Sequence, residues 1–389
     1  MASAIDWYGR VRRAGAVPAV LFVDDWDLDS FFQLAAGLRR SGLRAIRVTT
    51  APTGRVGSAL CWDRTVVLSS VSELCNLASI LSDEDIIDVH TVESLARQTR
   101  AGLGDDGATH DGNSWGERSK YANKSTTAAR LCVAGIQVPE AISMATVTPS
   151  EAVLRLGLPL VVKPVMGSGG QGVQIVQTED ELENLVGNSA PLENWCYEKF
   201  VAGQPLRFGA LATELGIERS AAYATMDPVT HLGAATEVSY LDDPQVVETG
   251  HQVAAALGLV GLFNVDMIRD SDGIDWVHDV NPRVWGSFAA FQPIGVDFVE
   301  PYVRWLLHQP RADAPDPAAA THPLWVFPAG WEDVAAGGPR SLAPIRIARW
   351  AWPFLHKFGA RYIAYVFWKR CRTALAERSH RREGGSLRW

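Results

Sequence analysis

The sequence predicts an α/β N-terminal domain, a central α+β region of helices and hairpins, and a mainly helical, basic C-terminal segment. Three observations predict it. Apolar runs of strand length alternate with helix-period segments over the first hundred residues. The middle of the chain then pairs short apolar runs around glycine-rich turns. The last fifty residues change in both charge and aromatic content. With 389 residues, 47% of them hydrophobic and 21% charged, the chain can bury two or three cores and is neither disordered nor a small disulfide scaffold.

The N-terminal elements follow in order. The run Pro18 to Asp25 (PAVLFVDD) is only about eight residues long and ends in two aspartates, so it reads as a buried strand and not as a signal peptide. A helix-like LDSFFQLAAGLRRSG and the strand RAIRVTT complete a β-α-β beginning, and Val66–Ser69 and Asp85–Val89 continue it over roughly 115 residues. The first turn, DDWDLDS, lacks GxGxxG and would repel a pyrophosphate, which excludes NAD or FAD there. Gly102 to Gly116, rich in Gly, Asp and Asn, is the expected linker.

Beyond the linker the periodicity predicts a helix from Lys120 to Ala134, ending at Gly135. LPLVVKPVMGSGGQGVQIVQ reads as strand, glycine loop and strand, followed by a short helix Glu179–Leu185 and a strand Trp195–Val201. Another helix, Gln245–Leu257, precedes the strands GLFNVDMIRD and IDWVHDVNPR, joined by the turn Ser271-Asp272-Gly273. RADAPDPAAA (311–320) is a second linker, and there are no internal repeats.

Charge and cysteine usage narrow the setting. The net charge of -8 argues against nucleic acid as a partner, because nonspecific binding needs a positive field. Five scattered cysteines, with no CxxC pair, predict a reducing cytoplasm. Lysine is scarce: four of the six, Lys120, Lys124, Lys163 and Lys199, fall within 80 residues.

Two constellations carry chemistry. The loop Gly167-Ser168-Gly169-Gly170-Gln171-Gly172 can turn several backbone N–H groups toward one anion, although taken alone it also fits a plain hairpin tip. Lys163 stands just upstream in the apolar strand VVKPV, where a lysine needs a negative ligand. Lys124 on the preceding helix offers a second cation, or simply a solvated face. Downstream, Asp266, Asp279 and Asn281 share one face of the predicted hairpin and suit a hard cation such as Mg²⁺. Arg283 continues that face and could bind a carboxylate or phosphate, or pair with Asp279. His278 alternates to the opposite face and reads as packing.

The joint order of helix lysine, strand lysine, glycine hairpin, Glu-Lys strand, Asp and Asp-x-Asn-Pro-Arg resembles the ATP-grasp superfamily over Ser119 to Val299. NPRVWGSFAAFQPIGVDF is similar to its carbamoyl-phosphate-synthase-like carboligases. The resemblance implies a Rossmann-like pre-ATP-grasp domain over 1–115, a two-lobed α+β ATP-grasp domain over 119–310, and the basic segment over 321–389. It further implies ATP and Mg²⁺ (or Mn²⁺), with Lys124, Lys163 and the loop 167–172 on the phosphates. Glu198, Lys199 and Val201 would meet adenine, and Asp266, Asp279 and Asn281 the metal. Arg283 would steady the acyl group, with Lys163 beside it in catalysis. The family's ribose carboxylate falls at Pro205, with Gln204 as its substitute, and its usual metal-binding Glu is here the shorter Asp279.

The implied reaction joins a small-molecule carboxylate to an amine through an acyl phosphate, releasing ADP and phosphate. A carboxylase or phosphotransferase, and a non-catalytic nucleotide-binding regulatory subunit, are the alternatives. Residues 340–389 carry twelve Arg or Lys against Glu377 and Glu383, with Trp350, Trp352, Tyr362, Tyr365, Trp368 and Trp389. Such a segment admits two occupants. One is an anionic membrane surface, which would make the cytoplasmic protein membrane-peripheral; the other is the acidic body of the same protein or of a second subunit, a route to self-association.

Overall fold

Strand β1 (Ala19–Val23) is buried at every residue, as an uninterrupted apolar run between two neighbours must be. It pairs in parallel with β2 (Arg44–Thr49) and β4 (Ile86–Thr91), and β3 (Arg64–Val67) extends the sheet beyond β2, giving the order β3–β2–β1–β4. Helices α1 (Asp29–Arg40) and α2 (Glu93–Leu103) belong to this unit. The acidic turn after β1 is structural on one side: Asp24 is fully buried against Arg47, Nη2 to Oδ1 2.8 Å. The computed structural model describes residues 17–25, 28–50, 60–104, 115–167, 169–187, 191–225, 237–312, 324–326 and 343–382, with the backbone pairing of 4–5 and 11–12. Most of the first predicted linker, residues 105–114, and most of the second, 313–320, lie outside the described residues.

Helix α3 (Lys124–Val133) starts later than the periodicity predicts. The Asn123 side chain accepts the Thr126 N–H at 3.1 Å and caps the helix, while residues 119–122 form a 3₁₀ turn. The cap places Lys124 at the first helical position. Lys120, just outside, pairs at the surface with Glu117.

Two antiparallel sheets follow. Strands β5 (Ala141–Ser143), β6 (Leu160–Pro164), β7 (Gln174–Val176) and β8 (Trp195–Lys199) are ordered β5–β8–β6–β7. Helices α4 (Pro149–Leu156) and α5 (Glu179–Gly187) cover them through Ala152, Leu156 and Leu182. The larger sheet contains β9 (Gln204–Thr213), β10 (Gly216–Thr225), β11 (Glu237–Leu241), β12 (Gly261–Arg269), β13 (Asp275–Asn281) and β14 (Leu324–Trp325), ordered β13–β12–β9–β10–β11–β14. Helix α6 (Pro244–Leu257), capped by Asp243, packs Val246, Val253 and Leu257 against Phe208 and Val265 on one face. The expected hairpin is β12–β13; β9 and β10, at the sheet's centre, were not anticipated from the sequence.

The N-terminal sheet is fastened to the large sheet by a buried polar chain. Arg118 forms a short ion pair with Asp88 and donates to Val89 O at 2.9 Å. On helix α7 (Val299–Leu306), the Tyr302 hydroxyl donates to Asp88 at 2.6 Å. His90 Nε2 lies 3.0 Å from that hydroxyl, and its Nδ1 accepts the Val284 N–H at 3.4 Å. The second bond leaves the ring proton on Nε2, a neutral imidazole.

Of the basic segment, residues 343–382 fold as α8 (Ala343–Arg382), which bends at Gly359, where φ is 80°, while 321–323, 327–342 and 383–389, Trp389 among them, lie outside the described residues. A side chain there would be strained by that φ, and its Cβ would stand 3.0 Å from Arg40. The helix buries Phe354, Phe358, Tyr362 and Tyr365, and Tyr365 stacks on Phe32 of α1 at 4.4 Å. Lys369 pairs with Asp29 at 2.8 Å, and Lys357 makes a short pair with Asp297. Of the two occupants the sequence admits, the chain's own acidic body takes this face. Trp352 and Phe367 stay exposed, and no described helix is long and apolar enough to cross a membrane.

Phe354 is fully buried in this contact. Phe354→Ala is expected to lower the unfolding free energy by about 3–5 kcal/mol, read from urea denaturation. Trp352→Ala on the exposed side should shift it by less than about 0.5 kcal/mol.

Candidate active site

The two antiparallel sheets enclose a cleft of about 530 Å³, within the range of small-molecule sites. From the smaller sheet come Lys163 on β6, the loop after it, and Glu198 on β8. From the larger come Arg207 on β9, Asp266 on β12, and Asp279 and Asn281 on β13. The α3 cap brings in Lys124, and the chain after β13 brings in Arg283.

Each of these charges is paired. Lys124 Nζ donates to Asp279 Oδ1 at 2.7 Å and to Gly167 O at 3.3 Å. Lys163, only 5% exposed, meets Glu198 at 2.5 Å and donates to His278 O at 3.0 Å, tying the two sheets together. Burial works against its charge, but Glu198 and Asp279 outweigh that and hold the ammonium above its usual range. Asp279 follows the same logic: burial opposes ionisation, and Lys124 and Lys163 keep the carboxyl below the ordinary range. Arg283 forks onto Glu93 of α2 at 2.7 and 3.0 Å.

A row of residues crosses four strands. Tyr223 on β10 stands opposite Arg207, Arg207 opposite Asp266, and Asp266 opposite Asp279. Arg207 Nε lies 3.2 Å from Asp266 Oδ1, which also accepts from Asn264 Nδ2 at 2.7 Å. Tyr223 in turn donates to Asn264 Oδ1 at 2.8 Å. The glycine loop bends through left-handed backbone at Gly169, Gly170 and Gly172 (φ 62°, 73° and 75°), conformations that other residues resist. Gly172 is confined: a Cβ there would come within 3.0 Å of the Trp195 ring.

Most sequence-predicted residues therefore meet in one place. Lys124, Lys163, Gly167, Gly169, Gly170, Gln171, Glu198, Lys199, Val201, Asp266, Asp279, Asn281 and Arg283 all line the cleft. Gly172 and Gln204 do not line it, and Ser168 lies outside the described residues. Gln204 is exposed at the start of β9, where Pro205 and Arg207 line the cleft.

Three expectations are corrected. Lys163 does not wait for a ligand to offset its charge, because Glu198 already does so. Arg283 pairs with Glu93 of the N-terminal unit, and not with Asp279. His278 does not turn away from the cleft. A β-bulge inserts it between Asp279, which faces Asp266, and Val277, which faces Met267, and this breaks the two-residue alternation.

Residues 121–287 match the family model described as an ATP-grasp domain. The chain carries an ATP-grasp domain. Formate-dependent phosphoribosylglycinamide formyltransferase of Burkholderia cenocepacia is 29% identical over 150 residues, covering 34% of this chain and 37% of that protein, so the chain spans little more than a third of the curated relatives it matches. The ATP-grasp fold is shared with carboxyaminoimidazole ribonucleotide synthase of Aspergillus clavatus, solved with ATP (TM-score 0.64, 16% identity, 79% of this chain and 80% of that one). It is shared too with L-amino acid ligase of Bacillus licheniformis (TM-score 0.55, 19% identity, 75% and 74%).

Sequence reasoning missed Glu93, Arg207 and His278. Arg207 had a signal, a lone cation in the apolar run PLRFGALA, of the kind that singled out Lys163. Glu93 had none, because its partner is 190 residues away.

Burial pushes the His90 pKa down to about 3 from its ordinary 6.5. The unfolded chain then binds a proton that the folded one refuses between these values, so stability falls as pH drops from about 6.5 toward 3. His90→Gln is expected to lose less of its urea midpoint than the parent between pH 6 and 4.

Proposed function

We propose that the chain is an ATP-dependent carboxylate–amine ligase. The observation that carries this reading is the convergence of two lysines, a glycine loop, two aspartates with an asparagine, and an arginine on one cleft of an ATP-grasp domain. Residues 1–115 are then the Rossmann-like unit, 119–310 the ATP-grasp domain and 321–389 the basic segment.

The donor set fits both nucleotide and metal. Asp266, Asp279 and Asn281 offer hard oxygens, the ligand type Mg²⁺ or Mn²⁺ takes alongside phosphate and water. Oδ2 of each aspartate has no hydrogen-bond donor among the described residues. Bound there, the ion would neutralise phosphate oxygens.

Lys124 and Lys163 hold the triphosphate by charge, and the loop offers backbone N–H groups to its oxygens. Glu198, Lys199 and Val201 border the adenine end. A substrate carboxylate oxygen attacks the γ-phosphorus and ADP leaves. An amine then attacks the acyl carbon, loses its proton, and phosphate departs. Arg283, steadied by Glu93, offsets the charge on the acyl oxygens, and the closed cleft keeps water from the acyl phosphate. The chain's own contribution is positioning and electrostatics.

Hydroxylamine in place of the amine should trap the acyl phosphate as a hydroxamate, with stoichiometric ADP, across a panel of carboxylates. Lys163→Ala is expected to lower that yield by about 100-fold or more. Release of AMP and pyrophosphate would rule out the acyl-phosphate route.

A further inference from the structure

Arg207 is a cleft cation to which the ligase reading gives no task. It occupies the centre of the cross-strand row, with its Nε on Asp266 Oδ1 and Tyr223 behind it. A guanidinium is not deprotonated in proteins. Its positive charge is therefore permanent at this position.

The carboxylate oxygens are divided accordingly. Asp266 Oδ1 is held by Arg207 and Asn264, and Asp279 Oδ1 by Lys124 and the Val280 N–H at 3.0 Å. Only Oδ2 of each remains without a donor among the described residues, and Asn281 adds an amide oxygen with one acceptor position left, the other taken by Arg283 Nη2 at 3.4 Å. Three protein oxygens suit one octahedral ion completed by phosphate and water. A second ion about 3.5–4 Å from the first would need Asp266 Oδ1 as well, which Arg207 and Asn264 hold, and would stand beside a fixed guanidinium.

We propose that Arg207 takes the place of a second divalent cation, so that this chain holds ATP with a single Mg²⁺ among Asp266, Asp279 and Asn281. Arg207 supplies the other positive charge to the γ-phosphoryl group. The inference rests on the ATP reading above.

Crystals of the full chain with β,γ-imido ATP and Mn²⁺ test it, because anomalous difference maps count the ions directly. One peak per chain is expected, and two peaks in the unaltered protein overturn the proposal. Arg207→Ala should admit a second peak and Arg207→Lys should keep one. A lone peak in Arg207→Ala with the analogue bound also refutes the role. If Arg207→Ala fails to fold, the count in the unaltered chain decides alone. A cleft that takes no analogue refutes the nucleotide reading itself, a result distinct from a second ion.

Discussion

Charge pairing inside the cleft is the constraint on which the rest depends. Lys124 meets Asp279, Lys163 meets Glu198, Arg207 meets Asp266 and Arg283 meets Glu93, each at 3.2 Å or less. Ions this deep are tolerated only as pairs, since removing one partner strands the other at a cost of about 3–5 kcal/mol. Two of the four pairs join separate parts of the fold, α3 to β13 and α2 to the segment after β13, while Arg207–Asp266 links the neighbouring strands β9 and β12 of the larger sheet. The Lys163–Glu198 pair lies within the smaller sheet, but the same ammonium reaches His278 O on the larger one. The ion pairs that fill the cleft thus also hold its walls in place.

The sequence made part of this legible, and the physical reason is locality. Lys163, the glycine loop and the Asp-x-Asn-x-Arg strand announce themselves because a charge in an apolar run, or four glycines in six residues, is costly without a purpose. The first sheet and the β12–β13 hairpin were legible from apolar runs and turn residues alone. What remained hidden depends on partners distant in sequence or on broken periodicity. Glu93 becomes meaningful only when α2 meets Arg283. His278 reads as outward until a bulge, invisible in a single strand's pattern, changes its parity. The start of α3 turned on one cap, Asn123, which a periodicity argument passes over.

The basic tail shows the same principle at the surface. Its aromatic residues looked available for a membrane because the partner surface was unknown. That surface is α1 and its surroundings, with Phe32 beneath Tyr365 and the carboxylates of Asp29 and Asp297 meeting Lys369 and Lys357. Among the described residues, the basic end meets the acidic body in the pairs Lys357–Asp297 and Lys369–Asp29. Burial of four aromatic side chains supplies most of its energy, because exposed ion pairs contribute little on their own.

Under the proposed function, the ligand enters the cleft by exchange. A triphosphate brings more negative charge than the paired side chains leave unmet, so it must either draw Lys124 and Lys163 from their carboxylates or arrive with a cation for those carboxylates to hold. Lys163 can turn toward phosphate only while something else occupies Glu198, whereas Lys124 releases the carboxylate a metal would take. The two lysines are therefore not equivalent: one couples phosphate to the metal site, the other couples it to the strand at the adenine end. That asymmetry follows from which carboxylate each lysine faces, and under the proposed function it makes nucleotide and metal binding mutually dependent in this cleft.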